Sequence, residues 1–131
     1  MFLEYSQPPL RDERVLVVED NPIIAFDIAD ILRVAGALVV GPFVRLEPAI
    51  SAVHAERVSV GVLDVRIGEV TVFPVARALH ARSIPFLFYT GHEYEGTLKT
   101  NWPGCRVLSK PVRAEALVVT VVELIAAPSQ G

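Results

Sequence analysis

Short apolar runs, each closed by a polar or charged residue, recur along the chain. VSVGVLDV (Val58–Val65) is apolar almost throughout and carries one acid, Asp64, near its end. RVLVVED (Arg14–Asp20) stops at paired acids, PFLFYT (Pro85–Thr90) at a hydroxyl followed by Gly91, and CRVLSK (Cys105–Lys110) at a lysine followed by Pro111. Runs this short and this rich in valine predict strands buried on both faces, as in a parallel sheet. Ala37–Val40 predicts one more, closed by Gly41 and Pro42.

Between these runs the apolar period lengthens to that of a helix. Asn21 and Pro22 supply a cap and a first-turn proline. Ile24, Ile28, Ile31, Leu32 and Ala35 then share one face, with Asp27, Asp30 and Arg33 on the other, until Gly36. Leu46–Arg57 and a stretch from about Thr71 to Arg82 predict a second and a third helix. The segment HEYEGTLKTNWP is poor in apolar residues and predicts at most a short or irregular fourth. RAEALVVTVVELIA (Arg113–Ala126) is apolar on almost every face, with Glu115, Thr120 and Glu123 as a narrow polar stripe. Such a helix must be covered by more than its own sheet, either within the monomer or by a homodimer or partner.

Strand and helix alternate, so the expected architecture is α/β, a doubly wound parallel sheet with helices on both faces. The expected domain spans residues 13–127. Residues 1–12, with Pro8 and Pro9 and no periodicity, read as a mobile or loosely packed arm, and residues 128–131 as a tail.

With 131 residues and 52% hydrophobic content, the chain can bury a core without staples. The single cysteine, Cys105, sits in an apolar run and reads as a core residue in a reducing compartment. The start of the chain lacks a secretory pattern and no segment has the roughly 18 apolar residues of a membrane span, so a cytoplasmic protein is expected. A net charge of −3 without a lysine or arginine cluster argues against direct nucleic-acid binding.

Ligands of open parallel sheets bind outside the carboxyl ends of the strands. Glu19, Asp20 and Asp64 would meet there, and carboxylates about 4 Å apart repel by roughly 4 kcal/mol at an effective dielectric near 20. Lys110 offsets part of that charge. An oxygen-only cluster with few ligands best suits Mg²⁺, which shares its shell with a phosphate. Asp64 could then attack a phosphoryl group, with Lys110 and Mg²⁺ neutralising its oxygens and Thr90 donating a hydrogen bond. A phosphatase with an aspartate nucleophile needs a second acid two residues later, where this chain has Arg66. Glu19-Asp20-Asn21-Pro22 replaces the glycine-rich turn of a dinucleotide fold.

VLVVED followed by NP, then LDV, YTG and SKP, together resemble the receiver domain of two-component response regulators, over about Arg14–Ala126. The resemblance implies a flavodoxin-like fold with five parallel strands in the order 2-1-3-4-5. It implies Asp64 as phosphoacceptor, Asp20 as direct Mg²⁺ ligand and Glu19 as a ligand through water. It further implies the Arg66 backbone carbonyl in the metal shell, Thr90 as switch hydroxyl, and Lys110 as phosphate-binding lysine before a proline that is often cis. The phosphodonor would be a histidine kinase or a histidine phosphotransfer protein. The chain would be no enzyme beyond catalysing its own phosphorylation and dephosphorylation. A receiver-like module that binds proteins without phosphorylation is the alternative.

PFLFYTGHE, VVGPF and VTVFPVARAL resemble more narrowly the alphaproteobacterial stand-alone receivers with a phenylalanine-alanine-threonine-glycine signature, a group that acts in stress response signalling. Tyr89 stands where alanine is usual, and Val107 where many receivers carry an aromatic switch residue. Only PSQG follows Ala127, so output through a partner, a phosphate relay or self-association is expected.

Overall fold

A computed structural model describes residues 6–127. In chain order the elements are β1 (Arg14–Val18), α1 (Pro22–Val34), β2 (Leu38–Phe43), α2 (Leu46–Ala55) and β3 (Val60–Asp64). There follow β4 (Arg66–Ile67), β5 (Val70–Thr71), α3 (Phe73–Ala81), β6 (Phe86–Thr90), a 3₁₀ turn (His92–Tyr94), α4 (Glu95–Asn101), β7 (Arg106–Ser109) and α5 (Ala114–Ala126). The main sheet is parallel throughout, in the order β2-β1-β3-β6-β7. Setting aside the separate β4–β5 hairpin, this is the expected order 2-1-3-4-5.

Both faces of the sheet are covered at its centre, which is why β1, β3 and β6 carry unbroken apolar runs. The outer strands β2 and β7 are partly to largely exposed, rather than buried on both faces as their sequences suggested. Every residue of β3 and β6 is buried, and each buried valine or leucine contributes about 1.5–3 kcal/mol over an exposed one. Val15, Val17, Val60, Val62, Leu87 and Tyr89 pack with α1 and α5 on one face. Leu16, Val18, Leu63, Phe86 and Phe88 pack with α2, α3 and Leu98 of α4 on the other. Gly61 lets α3 approach β3, since a Cβ there would lie 2.7 Å from Leu79 Cδ1.

Local chemistry sets the ends of α1. Asn21 Oδ1 accepts the Ile23 and Ile24 N–H groups at 2.9 and 3.3 Å, a cap that contributes about 1 kcal/mol. Past the other end, Gly36 has φ +101° and a Cβ there would meet Pro8 Cβ at 2.6 Å. Pro8 and Arg11 therefore pass close against the end of α1. Leu10 is fully buried and its N–H donates to Ala35 O at 2.8 Å. The loosely packed arm expected at residues 1–12 is thus corrected for this part, because Leu10 belongs to the core. Residues 1–5 and the expected tail at 128–131 lie outside the described residues.

Other boundaries shift for identifiable reasons. Strand β2 does not close at Gly41 and Pro42. It continues to Phe43, which pairs with Val18 across a register shift and accepts the Glu19 N–H at 2.9 Å. The third helix starts at Phe73 rather than Thr71 because residues 66–71 form the hairpin around Gly68. The fourth helix is short, as expected. It is pinned by buried Leu98 and by Trp102, whose ring meets Phe73, Phe86 and Phe88 with centroids 5.5–6.0 Å apart.

Helix α5 spends much of its apolar surface inside the monomer. Leu117, Val118 and Val121 are buried, and Val119 stays 54% exposed. Thr120 is not on a polar stripe. It is buried, its hydroxyl donating to Ala116 O at 2.8 Å. Cys105 lies half-buried at the rim of the core rather than within it, and burial pushes its thiol pKa up. Among the described residues no helix is long and apolar enough to cross a membrane.

Candidate functional site

The parallel register sets the site. Strands β1 and β3 are in step through Val18 and Leu63, and β3 and β6 through Asp64 and Tyr89. Strand β6 ends beside β7 with Thr90 opposite Ser109. Residues just past these strand ends, Glu19, Asp20 and Lys110, therefore emerge on one edge with Asp64 and Thr90.

The three acids read from the sequence converge. Carboxylate oxygens of Glu19, Asp20 and Asp64 all lie within 4.8 Å of one another. Glu19 and Asp64 are buried and Asp20 is exposed. A cavity of about 270 Å³ is lined by Asp20, Asp64, Arg66, Thr90, Tyr94 and Lys110.

Lys110 supplies the compensating charge. Its Nζ donates to Asp64 Oδ2 at 3.1 Å and lies 3.5 Å from Glu19 Oε1. Its backbone N–H donates to Thr90 O at 2.9 Å, which fixes the start of the Lys110–Pro111 segment. That peptide bond is cis, as the resemblance implied. Burial works against the ammonium charge, but Asp64 and Glu19 outweigh it and hold the Lys110 pKa above the ordinary lysine value.

Glu19 is fixed at both oxygens. Oε2 accepts the Asn21 N–H at 3.0 Å, and Oε1 accepts the Tyr89 hydroxyl at 3.1 Å. Burial is the chief cause that lifts its pKa from 4.5 to about 7. The Asn21 N–H lowers it, and the neighbouring Asp64 carboxylate adds to the rise. An all-oxygen donor set crowded to this degree fits a hard divalent cation, whose charge would offset both the burial of Glu19 and its repulsion by Asp64.

Asp20 is steered from the hairpin side, since its Oδ2 accepts the Gly68 N–H at 3.0 Å. Arg66 stands on the rim. Its Nε donates to Gly68 O at 2.9 Å, and its guanidinium reaches the Tyr94 hydroxyl at 3.4 Å and Glu69 at 3.8 Å. Thr90 is buried at the end of β6. Val107, at the position of the missing aromatic, is exposed on β7.

Two contacts escaped the sequence reading. The Gly68 N–H on Asp20 depends on a hairpin too short for any periodicity. The Tyr89–Glu19 bond joins positions 70 apart, although a tyrosine in a fully apolar strand does signal that its hydroxyl must find a partner.

The structure is similar to a response regulator receiver protein from Sinorhizobium medicae WSM419, with 24% identity and a TM-score of 0.81 over 90% of this chain and 98% of that one. SdrG from Sphingomonas melonis Fr1 is 31% identical, with a TM-score of 0.72 over 85% of this chain and 96% of SdrG. The receiver domain of sensor histidine kinase PA1611 from Pseudomonas aeruginosa PAO1 has a magnesium ion coordinated in its active-site cleft. It is 23% identical, with a TM-score of 0.77 over 88% of this chain and 99% of that one. No curated protein matches the chain. The family model for the response regulator receiver domain matches residues 15–122. With that match over most of its length and the flavodoxin-like fold to accompany it, the chain belongs to the response regulator receiver domain family.

Proposed function

We propose that Asp64 accepts a phosphoryl group from a histidine kinase or a histidine phosphotransfer protein in a Mg²⁺-dependent reaction, and that the phosphorylated domain signals through a partner or a phosphorelay. The observation that carries this reading is the Asp64–Lys110 pair at 3.1 Å, inside a trio of carboxylates within 4.8 Å of one another.

Glu19, Asp20 and Asp64 would hold the ion, with the Arg66 backbone carbonyl completing the protein's share. When bound, Mg²⁺ supplies positive charge for the phosphoryl oxygens. An Asp64 carboxylate oxygen attacks phosphorus and forms an acyl phosphate. The P–N bond of the phosphohistidine breaks, and its electron pair stays on the imidazole nitrogen. Lys110 Nζ follows the negative charge from the carboxylate to the phosphoryl group, and the Thr90 hydroxyl donates to one of its oxygens. Hydrolysis of the same acyl phosphate resets the domain, so the chain acts as a self-modifying acceptor rather than a turnover enzyme.

Incubation with a small acyl phosphate donor and Mg²⁺ is expected to add one phosphoryl mass to the intact protein, and EDTA to prevent it. No gain with Mg²⁺ present would leave the fold as a protein-binding module without phosphorylation.

In this reading the chain acts in the cytoplasm, which suits its one unpaired cysteine. The narrower resemblance to stand-alone receivers in stress response rests on PFLFYTGHE, VVGPF and VTVFPVARAL. Self-association through α5 is part of the same reading, supported by exposed Val119 and by exposed Val107 on the adjoining β7. Light scattering at high concentration with a phosphoryl mimic is expected to give a dimer mass, and a monomer mass under those conditions would remove this element.

A further inference from the structure

A buried phenol beneath an acid cluster has a specific electrostatic effect. Tyr89 is fully buried in β6, and its hydroxyl donates to Glu19 Oε1 at 3.1 Å. The other Glu19 oxygen is taken by the Asn21 N–H at 3.0 Å, so the carboxyl plane is held by two donors, one from the cap of α1 and one from β6. The same ring lies under Lys110, with Nζ 5.3 Å from its centroid, and Lys110 in turn bonds Asp64. One side chain thereby touches both the acid and the cation that frame Asp64.

From this geometry we infer that Tyr89 is a positioning residue for metal binding, acting through Glu19. The inference rests on the receiver reading above and names a residue that reading does not use. A carboxylate is acceptor-only, so a fixed phenolic donor orients Glu19 and holds its plane relative to Asp20 and Asp64. Groups that hydrogen-bond a metal-holding side chain from behind typically change metal affinity 10–100-fold when lost. Tyr89 is fully buried in the layer that holds Val62, Leu87 and residues of α1 and α5, which fixes the side from which its hydroxyl reaches Glu19.

The test is calorimetric titration of the intact chain with Mg²⁺ alone, on the unaltered protein, Tyr89→Phe, Glu19→Gln and the double variant. Phenylalanine keeps the ring and its packing and removes only the hydroxyl. The expected result is about tenfold weaker Mg²⁺ binding in Tyr89→Phe, with the urea midpoint of the metal-free protein nearly unchanged. In the Glu19→Gln background the same substitution is expected to change affinity less than about twofold, as required if Tyr89 acts through Glu19. Equal affinities for the unaltered protein and Tyr89→Phe would overturn the assignment and leave the receiver reading standing. A full tenfold loss that persists in Glu19→Gln would overturn it too, because Tyr89 would then act by another route. Absence of Mg²⁺ binding in the unaltered protein would instead overturn the metal reading, and this assignment with it.

Discussion

Asp64→Asn is expected to abolish Mg²⁺-dependent phosphoryl uptake while leaving the domain folded. The amide preserves the shape of the carboxylate but removes its nucleophilic oxygen anion, and among the described residues no other carboxylate is placed the same way. Glu19 has both oxygens engaged by Asn21 and Tyr89, and Asp20 lies exposed against Gly68. Intact-mass measurement after exposure to donor and Mg²⁺ is the check. A phosphoryl mass retained by the variant at the unaltered rate would place the acceptor elsewhere and sink the site.

Loss of that charge also changes the electrostatics of the metal-free domain. Glu19 has a folded pKa near 7 against 4.5 for an ordinary glutamate. Between those values the folded state holds more proton than the unfolded one, so stability falls as pH rises. This contribution is complete below about 4.5 and is lost as pH passes about 7. Burial is the larger cause and Asp64 a lesser one. Asp64→Asn is therefore expected to weaken the decline without removing it, as measured by urea midpoints across that range without metal. Lys110 loses the negative charge of its 3.1 Å partner but keeps an amide oxygen as acceptor and Glu19 at 3.5 Å, which limits the cost of the substitution.

Leu10→Ala is expected to lower stability by about 2–5 kcal/mol, the range for a large-to-small change at a fully buried position. Domains of this size are stable by about 5–15 kcal/mol in total, so the variant would be close to unfolding at moderate urea. The side chain is fully buried in the α1–α5 layer, and its backbone is tied to Ala35. A shifted urea midpoint with an unchanged slope is the signature of lost stability alone. A change smaller than about 0.5 kcal/mol, the usual size of a surface substitution, would mean that residues before Arg14 do not belong to the core.

Leu10 also shows where the sequence stopped being legible. A single leucine between two prolines and a charged stretch has no period, and its burial is decided by the turn at Gly36, some 26 positions on. The three central strands were readable because burial on both faces writes itself as unbroken apolar runs. The half-exposed outer strands β2 and β7 were readable mainly by the glycine, proline and lysine that close their apolar runs. The order of all five was not readable from pattern and came from the motifs at their ends. Glu19, Asp20, Asp64, Thr90 and Lys110 could be picked out as polar residues that end apolar runs, and the parallel register then brings them together. Tyr89 stands out in the sequence as a phenol beside Thr90, in a run otherwise apolar, without any pattern that names its partner. No spacing rule links positions 19 and 89, and both point into the same layer only once β1, β3 and β6 are in step. The β4–β5 hairpin, with two residues per strand, falls below any window in which periodicity can be counted.

The two outer strands of the open sheet differ from its buried centre in a way that bears on how copies can meet. Pro42, late in β2, has no N–H to offer an incoming strand, and β7 is four residues long with Arg106 drawn to Glu123 at 2.8 Å. Proline, brevity and charge are the means by which sheets blunt their borders against backbone pairing. Growth by strand addition, the route to fibrils and swapped dimers, is therefore disfavoured at both ends, and any contact between copies has to be made by side chains.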